Sequence, residues 1–375
     1  MPNNIKQLLD ESIPADITLS EENKQRILRK ANQQLQSTIH PKKRLFRPIL
    51  STLAIISLLI ILIGPSLSNW FSTRSSFNLP LEKVTIPNGD YSSFIHSIFI
   101  KDTNELIYAD KKTIYSYSLT SHSREVLIES SENIDIYTLA ANKNWLIWVE
   151  KNNNIYILNR ETTLQKEQKK TVLGDIQLQE NMLIYNDASG YKQLNLITME
   201  ETNLHDFTGI GRNSKAGLYD NLLVIPEQFK SNNGNTTEFY VYDLTTLKQI
   251  GKYGAPYKAA ENVILMNNKI YAAFSNEDEN SPILGYIDLK DGNFHKIETP
   301  PFNNYAVYKN YLALSIVDKH TDTVKLYRLE NENLEELPTF NKIKERLVMP
   351  RFTDDGALIV NGESADFSMY IQDVE

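Results

Sequence analysis

Six histidines, at positions 40, 96, 122, 205, 295 and 320, are the first residues to test for chemistry. No two of them stand at i, i+2 or i, i+4, the spacings that bring two imidazoles onto one metal ion, and none lies in an acidic cluster with ligand spacing. They read as surface or turn residues. Glu277-Asp278-Glu279 offers three adjacent carboxylates to a calcium ion, yet it lacks the alternating Asp/Asn positions of a calcium loop and reads as a solvated loop. The chain has no cysteine, which removes thiol nucleophiles, thiolate metal sites and disulfides together. It also has no G-x-S-x-G turn, phosphate-binding loop or dinucleotide fingerprint. The expectation is no cofactor, no metal and no catalytic set along the chain. Any site has to be gathered from distant segments by the fold.

The elements that could gather one are set out by the charge pattern. The chain has 375 residues and a net charge of −8. Residues 1–48 carry nine Lys/Arg and five Asp/Glu, and residues 49–73 carry no charged side chain. That leaves 30 basic and 42 acidic groups in 74–375, a net of −12. An acidic body of this kind argues against direct binding of nucleic acid.

The uncharged zone reads as a membrane span. Eleven of the fifteen residues from Ile49 to Ile63 are Leu or Ile, and the run continues to Leu67. As a helix these residues reach roughly 28 Å, about the thickness of a bilayer's hydrocarbon core. Phe46 on one side and Trp70-Phe71 on the other suit the two interfaces. Forty-eight residues precede the apolar run, too many for a cleaved signal peptide, so the reading is a retained signal-anchor. Lys42, Lys43, Arg44 and Arg47 flank its N-terminal end and by the positive-inside rule mark that side as cytoplasmic. The expected organisation is a cytoplasmic helical stub at 1–47, a transmembrane helix at 48–70, a linker at 71–80 and an extracytoplasmic domain at 81–375. A cysteine-free exported domain of this size is commonplace in Gram-positive bacteria.

The exported part is a repeat. Asn followed by one residue and then Leu or Ile opens an apolar strand at Asn104, Asn144, Asn181, Asn221, Asn268 and Asn310, and Gly356-Ala-Leu358 is a seventh copy. The spacings run 40, 37, 40, 47, 42 and 46 residues. Asn and Gly share tolerance of positive φ, which predicts a left-handed hairpin residue at each of these positions. A second signature follows each strand, as in Tyr117-Ser-Leu119, Leu194-Asn-Leu196, Tyr242-Asp-Leu244 and Ile287-Asp-Leu289. Four strands per roughly 42 residues, joined as successive hairpins, predict an all-β fold, a β-propeller of seven four-stranded blades, with six or eight as the neighbouring possibilities. The seventh unit ends after its third strand. Leu81-Glu-Lys-Val-Thr-Ile-Pro87 matches the fourth-strand segment Phe294-His-Lys-Ile-Glu-Thr-Pro300, so residues 81–86 are expected to complete the last blade. The segment from Arg351 to Val360 resembles the phenylalanine–serine–proline–aspartate–glycine turn of TolB-type and dipeptidyl-peptidase-type propellers, and Phe99–Tyr108 is a looser copy.

The N-terminal stub carries two apolar helical stripes. Ile5, Leu8, Leu9 and Ile13 form the first, and Ile27, Leu28, Ala31 and Leu35 the second, behind a capping box at Thr18-Leu-Ser-Glu21. Two helices this short cannot bury both stripes as an independent core, so they need a protein partner or a lipid surface. A short amphipathic helix pair, a basic juxtamembrane segment, one span and a large exported domain resemble the membrane anti-sigma factors of Gram-positive bacteria. The resemblance covers roughly residues 1–65 and rests on that architecture and on Ile17-Thr-Leu-Ser-Glu-Glu-Asn-Lys-Gln-Arg-Ile-Leu28. It implies that the stub holds a cytoplasmic sigma factor, with Ile27, Leu28, Ala31 and Leu35 as partner-binding residues. The functional expectation is thus a single-pass membrane protein whose propeller binds a protein, peptide or glycan and whose stub signals. The alternatives are a tethered surface binding protein without signalling and a cell-wall hydrolase or lyase.

Overall fold

The computed structural model describes residues 81–375 except 87–96, 130–134, 169–171, 174, 213, 233, 277–280, 317–321, 331, 364–367 and 375. The span at 48–70, the basic flank Lys42, Lys43, Arg44 and Arg47, and the helical face Ile27, Leu28, Ala31 and Leu35 lie outside the described residues, as do His40, His96, His320 and Glu277-Asp278-Glu279. Among the described residues no helix is long and apolar enough to cross a membrane.

Seven four-stranded antiparallel sheets follow one another along the chain. Blade 7 contains the first strand, β1 (Leu81–Thr85). Blade 1 is β2 (Ile98–Ile100), β3 (Glu105–Asp110), β4 (Thr113–Ser118) and β5 (Ser123–Glu129). Blade 2 is β6 (Ile136–Ala141), β7 (Trp145–Glu150), β8 (Ile155–Asn159) and β9 (Leu164–Gln168). Blade 3 is β10 (Ile176–Gln179), β11 (Met182–Asn186), β12 (Gly190–Asn195) and β13 (Glu201–Asp206). Blade 4 is β14 (Gly217–Tyr219), β15 (Leu222–Ser231), β16 (Gly234–Asp243) and β17 (Lys248–Gly254). Blade 5 is β18 (Ala259–Met266), β19 (Lys269–Ser275), β20 (Ile283–Asp288) and β21 (Phe294–Lys296), and blade 6 is β22 (Phe302–Tyr308), β23 (Tyr311–Ile316), β24 (Thr323–Glu330) and β25 (Asn333–Leu337). Blade 7 is completed by β26 (Arg346–Phe352), β27 (Ala357–Glu363) and β28 (Ser368–Asp373). First strands of successive blades lie beside one another, β2 with β6, β6 with β10, β14 with β18, β18 with β22 and β22 with β26, which makes them the inner ring.

The ring closes as the repeat requires. β1 pairs antiparallel with β28, Leu81 opposite Gln372 through Thr85 opposite Ser368, and so supplies the outer strand of blade 7. Val84 and Ile86 bury their side chains with Phe99, Tyr108, Ile359 and Ile371, a cluster shared by blades 7 and 1. Lys83 pairs with Glu345 at 2.8 Å, and the same carboxylate accepts from Ser368 and Tyr370 of β28.

Second strands are apolar on both faces because each blade is covered by a neighbour on either side. Leu106-Ile107-Tyr108, Leu146-Ile147-Trp148 and Leu183-Ile184-Tyr185 are all essentially inaccessible to solvent. Such strands read as continuous apolar runs, whereas an outer strand such as β5 exposes most of its residues.

One backbone hydrogen bond ties the two repeated signatures together in every blade. The carbonyl of Asn104, Asn144, Asn181, Asn221, Asn268, Asn310 or Gly356 accepts from the N–H of Leu119, Arg160, Leu196, Leu244, Leu289, Leu329 or Val374 respectively, at 2.7–3.2 Å. At the middle position of the second signature, Asn159, Asn195 and Asp243 each accept from two backbone N–H groups of the following turn. A left-handed residue stands three positions past the signature in six blades, at Thr163, Met199 and Leu247 after these Asx turns and also at His122, Gly292 and Glu332.

The expected left-handed residue at the first turn is found at Asn104, Asn268 and Gly356. At Glu180, Asp220 and Lys309 it falls one residue earlier, and in blade 2 the side chain of Asn142 instead accepts from Asn144 N and Trp145 N. The flanking pairs Gln179 with Met182, Tyr219 with Leu222 and Tyr308 with Tyr311 leave two-residue loops, whose first residue takes positive φ in both favoured turn types.

Between blades 1 and 2, Arg160 donates to both oxygens of Glu105 at 2.7 and 2.9 Å, and Thr103 and Ser116 donate to the same carboxylate. Burial alone raises the pKa of Glu105, but these hydrogen bonds and the charge of Arg160 outweigh it and hold it below the usual carboxylate value. The folded value is depressed, so this stabilisation is present above the unfolded pKa and is lost as pH falls through the folded one. In an Arg160→Met variant the loss of stability on acidification over that window should be shallower than in the parent, as read from urea unfolding at stepped pH.

Val84→Asp buries a carboxylate in the closing strand and should cost about 3 kcal/mol or more, whereas the exposed Glu82→Ala should stay within about 0.5 kcal/mol. Thermal unfolding of the two variants checks this.

Candidate functional site

The blade 3–4 junction departs most from the repeat. The 47-residue spacing between Asn221 and Asn268 is the longest, and part of the extra length forms a ten-pair hairpin, Leu222 opposite Asp243 through Ser231 opposite Gly234. The inner strand β14 pairs with β15 only as far as Val224. Two residues later stands Pro226, which has no N–H to offer on that edge. Beyond it the connection from blade 3 to blade 4, residues 207–216, takes over the open edge. Ile210 N donates to Gln228 O at 2.8 Å, and Gln228 N donates to Gly211 O at 2.7 Å.

A buried carboxylate holds this loop. Glu227 is fully inaccessible and accepts from the backbone N–H groups of Thr208 and Gly209 through Oε1 and from His205 Nε2 through Oε2, the last at 2.9 Å. His205 Nδ1 lies 2.9 Å from the Tyr242 hydroxyl. Burial, followed by repulsion from Tyr240, Glu227 and Asp206 in their ionised forms, pushes the pKa of Tyr242 up to about 12. Gly209 is a close-approach position, since a Cβ there would meet Gln228 O at 2.1 Å.

The far end of the loop is fixed as firmly. Arg212 donates to Ser214 O at 3.1 Å and to Leu173 O at 3.0 Å, crossing back to the preceding connection. Ser214 Oγ accepts from Val263 N of blade 5 at 3.0 Å. Asp175, itself buried, accepts from Ala216 N at 2.8 Å and from Tyr191 at 2.6 Å. A loop braced at both ends still turns one large apolar side chain outward: Ile210 is 56% exposed. Leu173, in the connection it touches, is 45% exposed, and Tyr137 at the start of the inner strand of blade 2 is 51% exposed. Tyr137 is the extra residue of a bulge between Ile136 and Thr138, so it stands out of the ladder. All three lie at the end of the ring where one blade passes to the next.

The histidines divide. His122 is exposed in a left-handed turn, as expected, and His295 stacks on Tyr286 and pairs with Glu332 at 2.8 Å. His205 contradicts the surface reading. It is 6% exposed because its partners, Glu227 and Tyr242, stand 22 and 37 residues away and meet it only when β13 packs on blade 4. Sequence spacing holds no trace of that meeting. The one sequence signal was the long interval that marks blade 4 as unusual. Asp354-Asp355-Gly356 serves as a turn: Thr353 Oγ1 accepts from Ala357 N and donates to Asp355, and Gly356 has φ 87°. Among the described residues no three His, Asp or Glu side chains are grouped as a metal ion would need.

Glu227→Leu leaves the two loop amides and His205 without their acceptor in the core. It should destabilise the domain by about 3–5 kcal/mol, against about 1 kcal/mol for Tyr242→Phe. Hydrogen exchange should show the loss first at the amides of Thr208 and Gly209.

No protein-family model matches the chain, and no curated protein matches it in sequence. Solved structures do match in shape. A chain of the mitotic checkpoint complex is 12% identical with a TM-score of 0.56, covering 80% of this chain and 96% of that one. The Cps50 (Swd1) β-propeller domain of Myceliophteria thermophila is 11% identical with a TM-score of 0.51, covering 79% of this chain and all of that one. At such identities the likeness speaks for architecture alone, and that architecture is the seven-bladed β-propeller built above.

Proposed function

We propose that this chain is a single-pass membrane protein whose propeller, residues 81–375, lies outside the cytoplasm and binds a ligand, and whose cytoplasmic stub, residues 1–47, controls a sigma factor. The observation that carries the binding reading is the loop 207–216, braced at both ends by buried polar contacts while turning Ile210 outward. Binding residues sit on loops that a rigid scaffold positions, and a propeller supplies such a scaffold. Membrane tethering rests on the charge-free run 49–67 and on Lys42, Lys43, Arg44 and Arg47 beside it. Signalling rests on the two apolar stripes of the stub and on its resemblance to membrane anti-sigma factors. Helix-in-groove recognition uses the spacing of Ile27, Ala31 and Leu35, and burying Ile27, Leu28 and Leu35 contributes roughly 1.5–3 kcal/mol each before ordering costs.

Protease added to intact protoplasts should remove residues 74–375 and spare the first 48; protection of the large domain refutes the topology. Deleting the gene should raise transcription from a defined set of promoters, and Ile27→Glu should copy the deletion while leaving membrane insertion untouched. Unchanged transcripts in both strains refute the signalling role and leave a tethered binding protein. Turnover of cell-wall fragments by the purified chain would assign it to the hydrolase or lyase class instead.

A further inference from the structure

We propose that the ligand is an extended peptide segment of a partner protein in which an apolar anchor stands next to a carboxylate, and that it docks across the loop ends of blades 2–4. This rests on the binding reading above and assigns that reading a surface and a chemistry. Ile210, Leu173 and Tyr137 are exposed at the ends of three consecutive blades, and the Arg212 side chain ties the Ile210 loop to Leu173. Singly, exposed apolar side chains are ordinary; three at neighbouring ends of a braced rim form an anchor surface.

Charge decides the occupant. Lys215, on the same loop, and Lys230, two residues past the Gln228 bridge, are exposed and form no ion pair among the described residues. Four carboxylates around the loop are engaged already, while Glu261 of β18 is exposed. Glu227 is held by the loop amides and His205, Asp175 by Ala216 N and Tyr191, Glu238 by Lys252 at 2.8 Å, and Asp206 by the Asn203 amide at 2.9 Å. Two unpaired cations therefore stand on the loop and on the hairpin it bridges, within residues 74–375, whose net charge is −12. That local reversal selects an anionic partner. Leu173 and Ile210 are aliphatic and match an apolar side chain, whereas a neutral glycan would present hydroxyls to them and leave both lysines unanswered.

The test uses phage-displayed random dodecapeptides selected on the purified full chain in detergent micelles. Recovered sequences should be enriched in Asp or Glu beside Leu, Ile or Phe, and a synthetic consensus peptide should bind more weakly as salt rises. Ile210→Asp with Leu173→Asp should weaken that peptide by about tenfold or more. Lys215→Glu with Lys230→Glu should weaken it and flatten the salt dependence. Val126→Asp, on the exposed outer strand of blade 1, should leave affinity unchanged, and equal melting temperatures in all variants exclude unfolding. Acidic-apolar peptides that bind equally well to every variant overturn the surface and keep the chemistry. Selection of basic peptides, or capture of soluble glycans with no peptide enrichment, overturns the chemistry while the binding reading stands. If neither peptides nor glycans bind, the binding reading falls with it.

Discussion

The antiparallel ladder between β1 and β28 is the constraint on which the rest of the propeller depends. Seven wedge-shaped sheets can bury both faces of every second strand only if the last sheet meets the first. The chain achieves this by building one blade from both ends of the domain, Leu81–Thr85 against Ser368–Asp373. Without the closing strand, β28 would present an open edge of unpaired backbone groups, and Val84 and Ile86 would be missing from the cluster shared by blades 7 and 1. Glu345 reinforces the joint from the connection between blades 6 and 7, since it binds Lys83 of β1 and two hydroxyls of β28 together.

Within each blade the recurring element is a single hydrogen bond between two turns. The carbonyl of the first hairpin's Asn or Gly accepts the N–H at the end of the third strand in all seven blades. This gives a physical account of why two short signatures repeat together while the strands between them vary. The signature residues serve the turns; the strand residues need only be apolar where neighbours cover them. The Asn is used more for this turn geometry than for its own left-handed conformation, which in three blades falls on the preceding residue.

Regularity makes the departures informative. At the junction of blades 3 and 4 the pairing with β14 stops near Pro226, a loop replaces it, and Glu227, Asp175 and Ser214 fix that loop from below. Such a polar cluster, satisfied on nearly every atom, rigidifies the backbone around it and costs much to disturb. Its consequence is a rim whose backbone is held in place around the exposed Ile210 side chain.

The period of the repeat, the number of blades, the position of the turns and the identity of the closing strand were all legible in the sequence, because each depends on local chemistry that recurs: turn residues at fixed offsets, apolar runs of strand length, and a fourth strand missing at one end and present at the other. The apolar run and basic flank in residues 1–70 are legible for the same reason, as composition along a line. The candidate site was not. Glu227 reads as an ordinary charged residue within a strand, His205 as a turn histidine, and Ile210 as one more apolar residue. Their roles arise only when β13, the 207–216 loop and the long hairpin of blade 4 are brought together, and that meeting depends on where β14 stops pairing rather than on any spacing along the chain. Local periodicity determines the propeller; contacts between residues far apart in sequence, set by tertiary packing, decide which part of its rim is braced.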